Sequence, residues 1–393
     1  MSTFVDTVGQ TPLVHLQRLT RPDEARIALK CERTNPGGSI KDRPAKFIVE
    51  TAERAGWLRP NGTIIESSSG NFGISLAMLG AAKGYRVIIL VDPKITPTNL
   101  ALLEAYGAEV EVVTEQDDSG SYHKTRIARA NALARQIPGA FRPDQCFNLL
   151  NSEAHYQHTA REILADCQDD LAMVIAAVST GGQLGGLTRY LKRVAPAVQV
   201  IGVDAVGSAI FGGPAHSYLL PGVGLGWTPA NLPLALLDAA FTVPDEDAFL
   251  TCRTVARSEG ILVGASTGAV LLVALNYAQQ LPRSARIVAI GADSGERYLQ
   301  TMYDDAWLAE RGLRTTSSPA ELRLLARGLR PCAGPAMRNG TAQPQLAETL
   351  RVPLSTQQMN ALVQEQWRAR QRGDLRSQRP PAPRHATLQD VYC

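Results

Sequence analysis

One lysine of this chain lies in a sequence setting that suits covalent chemistry. Lys41 follows the turn-forming sequence Asn-Pro-Gly-Gly-Ser at residues 35–39 and precedes a predicted helix over residues 42–56. An exposed lysine is protonated and is no nucleophile, whereas burial or a cationic neighbour lowers its pKa and permits imine formation. Taken alone, the segment also fits a surface lysine at a helix start, so its assignment depends on the rest of the chain.

A glycine-rich segment later in the chain has the composition of an anion site. Residues 179–186, Ser-Thr-Gly-Gly-Gln-Leu-Gly-Gly, lie between a predicted strand over 173–178 and a predicted helix over 185–194. At such a junction the main-chain N–H groups without intrahelical partners, together with the helix dipole, favour a phosphate. No Gly-Lys-Ser/Thr sequence follows, which excludes a nucleoside-triphosphate P-loop. The dinucleotide fingerprint is incomplete, but Asp204 lies near the spacing it requires, so a nicotinamide cofactor stays an alternative.

Small polar residues also follow a predicted strand over residues 63–66. The sequence Ser-Ser-Ser-Gly-Asn at 67–71 offers three hydroxyls and an amide ahead of a predicted helix over 72–82. Several convergent donors of this kind suit a substrate carboxylate, although a helix cap would use the same residue types. A third small-residue segment, Gly-Ala-Ser-Thr-Gly at 264–268, opens another predicted helix.

Short apolar strands alternate with helices through most of the chain, with further strands predicted at 87–91, 109–113, 198–203 and 285–290. This alternation predicts an α/β fold with mainly parallel sheets and with ligands at the carboxyl ends of the strands. With 393 residues the chain is long enough for two domains. Residues 319–393 are rich in Arg and Pro, and we expect a basic, weakly structured tail there.

The composition narrows the class of protein. The formal net charge is only +3, and 45% of the residues are hydrophobic, which gives no reason to expect nucleic-acid binding by the core. No apolar run is long enough to span a membrane, and the N-terminus lacks the pattern of a signal peptide. The six cysteines show no CxxC spacing, so we expect free thiols in a cytoplasmic protein. The six histidines form no convincing ligand cluster, and no metal site is predicted.

Taken in order, these segments resemble the fold-type II pyridoxal-phosphate enzymes, and specifically their cysteine synthase group. The resemblance spans about residues 7–315 and includes Gly-Gln-Thr-Pro-Leu at 9–13, Lys-Gly-Tyr-Arg at 83–86 and Ala-Tyr-Gly-Ala-Glu at 105–109. It implies a tryptophan synthase beta-like fold of two mainly parallel-sheet domains, with the cofactor pyridoxal 5'-phosphate between them. It also implies a homodimer that acts on small amino-acid substrates.

The resemblance implies a domain division and a role for each site residue. A large cofactor-binding domain would comprise residues 1–40 and 146–318, and a smaller, mobile substrate domain residues 41–145. Lys41 would bind the cofactor covalently, and Ser266 would face its pyridine nitrogen. Asn71 would hold the ring oxygen of the cofactor. The residues expected to bind the cofactor phosphate are Ser179, Thr180, Gly181, Gly182 and Gln183. The residues expected to receive the substrate carboxylate are Ser68, Ser69 and Asn71.

Two departures from the sulfhydrylases of this group point to one of its branches. Ser179 stands where they usually have glycine, and residues 93–99, Pro-Lys-Ile-Thr-Pro-Thr-Asn, replace their Ser-x-Glu-Arg-Arg-like stretch. Both features resemble the siderophore-pathway branch, which makes N-(2-amino-2-carboxyethyl)-L-glutamate, the precursor of 2,3-diaminopropionate, from O-phosphoserine and glutamate. We therefore expect a β-replacement transferase with Ser179 and Arg126 at the substrate. Arg126 would bind the substrate phosphate or the glutamate carboxylate, unless it is only a solvated helix arginine.

Other functions stay open. A cysteine synthase would use O-acetylserine or O-phosphoserine with sulfide as the nucleophile. A nicotinamide-dependent dehydrogenase would use the glycine-rich segment instead. A non-catalytic relative would act as an assembly subunit through its basic tail, although the presence of Lys41, Asn71 and Ser266 argues against lost catalysis. Cys146 is expected near the substrate, as a buried thiol rather than a catalytic one.

Overall fold

The computed structural model describes residues 3–118, 120–167 and 170–332. Within these ranges the chain forms two compact units. Unit 1 comprises residues up to 8 together with 35–154, and unit 2 comprises 9–34 together with the described residues from 155 onwards. No helix in the described ranges is both long enough and apolar enough to cross a membrane.

Strands and helices alternate through most of the described chain. The strands are β1 (Leu13–His15), β2 (Arg26–Cys31), β3 (Thr63–Ser67), β4 (Arg86–Val91), β5 (Glu109–Val112), β6 (Leu171–Ala177), β7 (Gln199–Ala205), β8 (Ala239–Val243) and β9 (Arg286–Gly291). The helices are α1 (Asp42–Arg54), α2 (Asn71–Lys83), α3 (Pro97–Ala105), α4 (His123–Gln136), α5 (Leu150–Ala154), α6 (Ala160–Cys167), α7 (Gly182–Val194), α8 (Asp245–Glu259), α9 (Ala265–Ala278), α10 (Asp305–Ala309) and α11 (Pro319–Gly328). A π-helical turn covers His155–Thr159, and short 3-10 helices cover Phe4–Thr7, Glu32–Thr34, Leu234–Leu236 and Gly295–Tyr298.

Unit 1 is built on the parallel strands β3, β4 and β5, in that order. Ile64 of β3 lies opposite Val87 of β4, and Ile88 of β4 lies opposite Glu109 of β5. The strands β3 and β4 are almost wholly buried. This burial explains the nearly continuous apolar sequence of β4, whereas β3 combines Ile64 and Ile65 with buried polar residues. Parallel strands end at the same edge of the sheet. Residues 68–71, which follow β3, and Asp92, which follows β4, therefore lie close together.

Unit 2 has a larger sheet, whose strand order in the described ranges is β1-β2-β9-β6-β7-β8. Only β1 runs antiparallel to its neighbour among these pairs. Helix α9 is apolar on nearly every side and belongs to the hydrophobic core, as expected for a helix that is covered all round. The glycine-rich segment, residues 179–186, follows β6 closely. This segment, which is predicted to bind an anion, therefore lies at the carboxyl end of a central strand.

The units of the structure differ from the expected domain division at three places. Residues 3–8, 35–40 and 146–154 belong to unit 1, whereas the expected division puts them in the larger domain. The reason is local packing, because the short helix α5 packs against α1. Sequence gives little indication of such a contact, since about a hundred residues separate the two helices.

The first part of the expected tail, residues 319–328, is helical and not weakly structured. Leu322 and Ala326 of this helix, α11, are buried in the core of unit 2. Ser318 and Glu321 form a capping box at the start of α11, and Arg323 makes an ion pair with Glu24. Arg323 and Arg327 therefore lie within an amphipathic helix. The expectation for residues 333–393 lies outside the described residues.

Candidate active site

Lys41 stands directly before α1, and a buried aspartate fixes the main chain around it. Asp42 accepts a hydrogen bond from the N–H of Gly37 at 2.6 Å and another from the hydroxyl of Ser75 in α2. The N–H of Lys41 donates to the hydroxyl oxygen of Ser39 at 3.2 Å. Lys41 itself is half-buried. One carboxylate thus connects the turn, the start of α1 and the side of α2. The main chain at Lys41 is therefore fixed, and so is the point from which its side chain extends.

A Gly37→Ala substitution is expected to destabilise the protein by about 1–3 kcal/mol. A Cβ at this position would come within 2.5 Å of the Asp42 carboxylate, whose hydrogen bonds leave it little freedom to move. Urea unfolding measures the change, and Gly328→Ala is the matched control because a Cβ there meets nothing within 4 Å. Equal unfolding midpoints for Gly37→Ala and wild type would show that this turn is not constrained as described.

The loop between β3 and α2 is held by the side chains of Ser68 and Ser69. The hydroxyl of Ser68 accepts the N–H of Gly73 at 3.1 Å. The hydroxyl of Ser69 donates to Asp92 at 2.8 Å and accepts from Arg126 Nη1 at 2.7 Å and from the N–H of Asp92 at 3.0 Å. A hydroxyl group can donate one hydrogen bond and accept two. The Ser69 hydroxyl makes all three, so it has no hydrogen-bonding capacity left for a ligand.

The main chain of this loop nevertheless offers an anion site at the start of α2. Gly70 precedes the helix and provides no side-chain cap. The N–H groups of Ser69 and Phe72 donate to no described residue, and they lie at the positive end of the helix dipole. Ser68 and Ser69 were expected to receive a carboxylate. The structure indicates that Ser69 would do so through its N–H, with Phe72, which the sequence analysis did not consider, as a second donor.

Arg126 is buried in α4 rather than solvated. Its side chain is 6% exposed, and Nη1 binds Ser69 and makes an ion pair with Asp92 at 3.2 Å. Nε is buried without a partner among the described residues. One side of the guanidinium is therefore anchored, while the Nε–Nη2 edge remains for an oxyanion, which such an edge binds through two parallel hydrogen bonds. Burial lowers the pKa of nearby His123 to about 4, so this imidazole is neutral at pH 7.

The segment that departs from the sulfhydrylase pattern packs against the same loop. Asp92 follows β4 directly, and its second carboxylate oxygen accepts the N–H of Lys94 at 3.0 Å. Asn99 donates to the main-chain oxygen of Ser69 at 3.1 Å, and Thr96 caps α3 by accepting the N–H of Asn99. Asp92 is not among the residues predicted from the sequence. Its position immediately after an apolar parallel strand is the signal that could have found it.

Cys146 has the properties of a structural thiol. It is buried, and burial raises its pKa to about 12, with a further contribution from the carboxylates of Asp144 and Glu66. A thiol of this kind stays protonated at neutral pH and is a poor nucleophile. The structure therefore gives Cys146 no catalytic role of its own.

In unit 2 the glycine-rich segment forms a cradle at the start of α7. Gly181 has a φ of +79°, and a Cβ there would approach Pro229 and Leu232 to 3.0–3.1 Å, so glycine is needed for both conformation and space. The N–H groups of Gly182 and Gln183 donate to no described residue, and the side-chain nitrogen of Gln183 is buried without a partner. These unsatisfied donors at the positive end of a helix match the needs of a phosphate.

The other residues expected at the cofactor also lie in unit 2. The hydroxyl of Ser179 donates to the main-chain oxygen of Gly224 at 3.4 Å, and Thr180 is buried beside it in the same loop. Ser266 is the second residue of α9 and is buried, and its hydroxyl makes no hydrogen bond within the described residues. A hydroxyl in this state can donate to an unprotonated ring nitrogen.

These features match a known family. The family described as "Pyridoxal-phosphate dependent enzyme" matches residues 5–293. The chain belongs to this family. Two relatives of this pyridoxal-phosphate enzyme are named N-(2-amino-2-carboxyethyl)-L-glutamate synthase. The protein of Cupriavidus metallidurans is 42% identical over 316 residues, which cover 80% of this chain and 93% of that protein. The protein of Ralstonia nicotianae is 43% identical over 307 residues, which cover 78% and 91%.

A solved structure is similar as well. The crystal structure of O-ureido-L-serine synthase has a TM-score of 0.73 and 34% sequence identity, and the match covers 79% of this chain and 99% of that one. The expected α/β fold and the expected cofactor class are thereby confirmed. The residues of this chain fit the cofactor, since the cradle with its unsatisfied N–H groups suits the phosphate and the free hydroxyl of Ser266 suits the ring nitrogen.

The nicotinamide alternative is not supported by the position of Asp204. This residue lies in β7, is 0% exposed and accepts the N–H of Ala205 at 2.8 Å, so it cannot reach the hydroxyls of a bound nucleotide. Its other carboxylate oxygen has no partner among the described residues, and burial raises the pKa of Asp204 to about 7.

An Asp204→Asn substitution is therefore expected to stabilise the protein at alkaline pH. A folded pKa of about 7, above the ordinary value of 3.8, means that the folded state favours the protonated acid. The free energy of unfolding of the wild type then falls as the pH rises from about 4 to 7, by roughly 4 kcal/mol, and the neutral amide avoids this loss. Thermal unfolding at pH 5 and pH 8 measures this, with exposed Asp118→Asn as control. A stabilisation that is the same at both pH values would contradict it.

Proposed function

We propose that the chain is a transferase that replaces the phosphate of O-phospho-L-serine with L-glutamate. The products are N-(2-amino-2-carboxyethyl)-L-glutamate and phosphate, for siderophore biosynthesis through 2,3-diaminopropionate. The names of the two relatives support this reaction. The observation that carries the proposal for this chain is the buried Arg126, whose open edge lies beside a loop suited to an amino-acid carboxylate.

The position of Arg126 favours the phosphate of the first substrate over the carboxylate of glutamate. Arg126 binds Ser69 directly, and the N–H of Ser69 is one of the two donors proposed for the carboxylate. O-Phosphoserine is a short molecule, so its carboxylate and phosphate must lie within one small site. One loop and one arginine that contact each other can therefore bind both anionic ends.

Pyridoxal phosphate, when bound, withdraws electrons from the substrate and so permits loss of the Cα proton and of the group on Cβ. Lys41 would hold the cofactor through Nζ, and the amine of Lys41 would serve as the base that takes the Cα proton of the substrate and returns it. Over the whole reaction the Cβ–O bond to phosphate breaks and a bond from Cβ to the glutamate nitrogen forms, with loss of one proton from that nitrogen. By the family resemblance, Asn71 would hold the ring oxygen of the cofactor. The loop from Ser179 to Gln183 would bind the cofactor phosphate, and Ser179 would also face the substrate.

Product analysis tests this function and separates it from cysteine synthesis. Purified enzyme is incubated with O-phosphoserine and either glutamate or sulfide, and the products are identified by mass spectrometry while released phosphate is measured. We expect the glutamate adduct together with one equivalent of phosphate, and little cysteine at equal nucleophile concentration. Cysteine as the main product, or no glutamate adduct, would favour the cysteine synthase alternative.

We also propose that the enzyme is a cytoplasmic homodimer. The dimer follows from the resemblance to the cysteine synthase group. The cysteines in the described ranges are all free thiols, as suits a reducing compartment. Light scattering of the purified protein would then give twice the chain mass of 42.3 kDa.

A further inference from the structure

Asp92 is the residue that connects the carboxylate loop with Arg126. One carboxylate oxygen accepts the hydroxyl of Ser69 at 2.8 Å and pairs with Arg126 Nη1 at 3.2 Å. The other accepts the N–H of Lys94, and the N–H of Asp92 donates back to Ser69. Both oxygens and the main-chain N–H are therefore engaged, and the side chain is largely buried. This carboxylate occupies one orientation, from which it can position its neighbours.

The first consequence is geometric. Because Asp92 and Ser69 both hold Nη1, the rotation of the Arg126 guanidinium about its long axis is fixed. The edge carrying Nε and Nη2 is then the one left for a ligand, and Nε is buried without a described partner. Two-point binding of an oxyanion requires such an edge to be presented at a set angle.

The second consequence is electrostatic. Asp92 places a negative charge next to the one guanidinium that would bind the substrate phosphate. At the low effective dielectric constant of a buried site, charges a few ångströms apart interact strongly. The interaction energy of a dianion with the Asp92 or the Arg126 charge is about twice that of a monoanion. Asp92 therefore weakens the binding of a phosphate dianion, although it orients the arginine that binds it.

We propose that Asp92 is a positioning and specificity-determining residue that aims Arg126 at the substrate phosphate and limits how tightly the released phosphate is held. This inference rests on the proposed function, in which phosphate is a product. An arginine without a counter-charge would retain that product and slow the next turnover. Asp92 thus balances recognition of the phosphorylated substrate against release of inorganic phosphate.

Two substitutions separate charge from position. Asp92→Asn keeps an oxygen acceptor for Ser69 and Arg126 but removes the charge, and we expect inorganic phosphate to bind the holoenzyme at least about tenfold more tightly. Asp92→Glu keeps the charge but displaces it, so we expect a higher KM for O-phosphoserine without tighter phosphate binding. Isothermal titration with inorganic phosphate measures binding independently of turnover. Glu111→Gln is the matched control. Glu111 lies on β5 and pairs with Arg129, an exposed arginine on α4, the helix that also carries Arg126.

Phosphate affinity in Asp92→Asn that equals or falls below the wild-type value would overturn the inference. The tight phosphate binding of Asp92→Asn must also be lost when Arg126→Gln is added, because the guanidinium is the group that binds phosphate. A double variant that binds phosphate as tightly as Asp92→Asn would overturn the inference too. Failure of the inference is distinguishable from failure of the proposed function. If the wild type forms the glutamate adduct while Asp92→Asn leaves phosphate affinity unchanged, only the role of Asp92 is refuted.

Discussion

Lys41→Ala is expected to lower kcat by at least about 10³-fold, because one side chain supplies both the covalent attachment of the cofactor and the base for the Cα proton. The variant should also lose most of the visible absorption of the purified enzyme. Steady-state kinetics with O-phosphoserine and glutamate, together with the absorption spectrum, measure both effects.

Lys46→Ala is the matched control for this substitution. Lys46 lies on α1 one turn further on, is half-buried, and has only long ion-pair contacts, at 3.9 Å to Asp6 and 4.0 Å to Glu50. It should keep nearly wild-type turnover. Thermal unfolding of both variants shows that each is folded. A folded Lys41→Ala protein with wild-type turnover would refute the assignment of Lys41.

Arg126→Gln is expected to raise the KM for O-phosphoserine about 100-fold, since two charge-assisted hydrogen bonds to phosphate are lost. The effect on O-acetylserine, which has no phosphate, should be much smaller. The ratio of kcat/KM for the two substrates therefore measures phosphate recognition and not general damage to the protein. That ratio matters because the substitution also leaves the largely buried Asp92 without its ion-pair partner, which costs stability.

Two further variants define the role of Arg126. Arg126→Lys keeps the positive charge but has no planar edge, so its ratio should lie between those of the wild type and Arg126→Gln. Arg129→Gln removes an exposed arginine on the same helix and should leave the ratio unchanged. If Arg126→Gln reduced the efficiency with both substrates equally, the phosphate assignment would be wrong.

Local signals explain what the sequence predicted well. The helix predicted over 72–82 is α2, Asn71–Lys83, and it ends at Gly84, whose φ of +77° is the usual glycine stop. The glycine-rich segment was recognisable because its requirements, a positive φ at Gly181 and close approach of the backbone, are met within a few neighbouring residues. Lys41 was found for the same reason, from the turn before it and the helix after it.

Features that depend on distant residues could not be predicted in this way. Ser69, Asp92 and Arg126 meet although 57 residues separate the first from the last, and only the sheet of unit 1 brings them together. Strand β8, with the short sequence Ala-Ala-Phe-Thr-Val, was missed because its pairing with β7 is its main stabilising interaction. The role of Asp42 likewise becomes visible only through its contact with Ser75 on another helix.

Peptide mapping after borohydride reduction tests the central claim most directly. Reduction makes the bond between the cofactor and its lysine permanent, and mass spectrometry of the digested holoenzyme then locates the added phosphopyridoxyl mass. We predict this mass on the peptide that contains Lys41, at close to one equivalent per chain. Modification of a different lysine, or no modification of the reduced protein, would contradict the account.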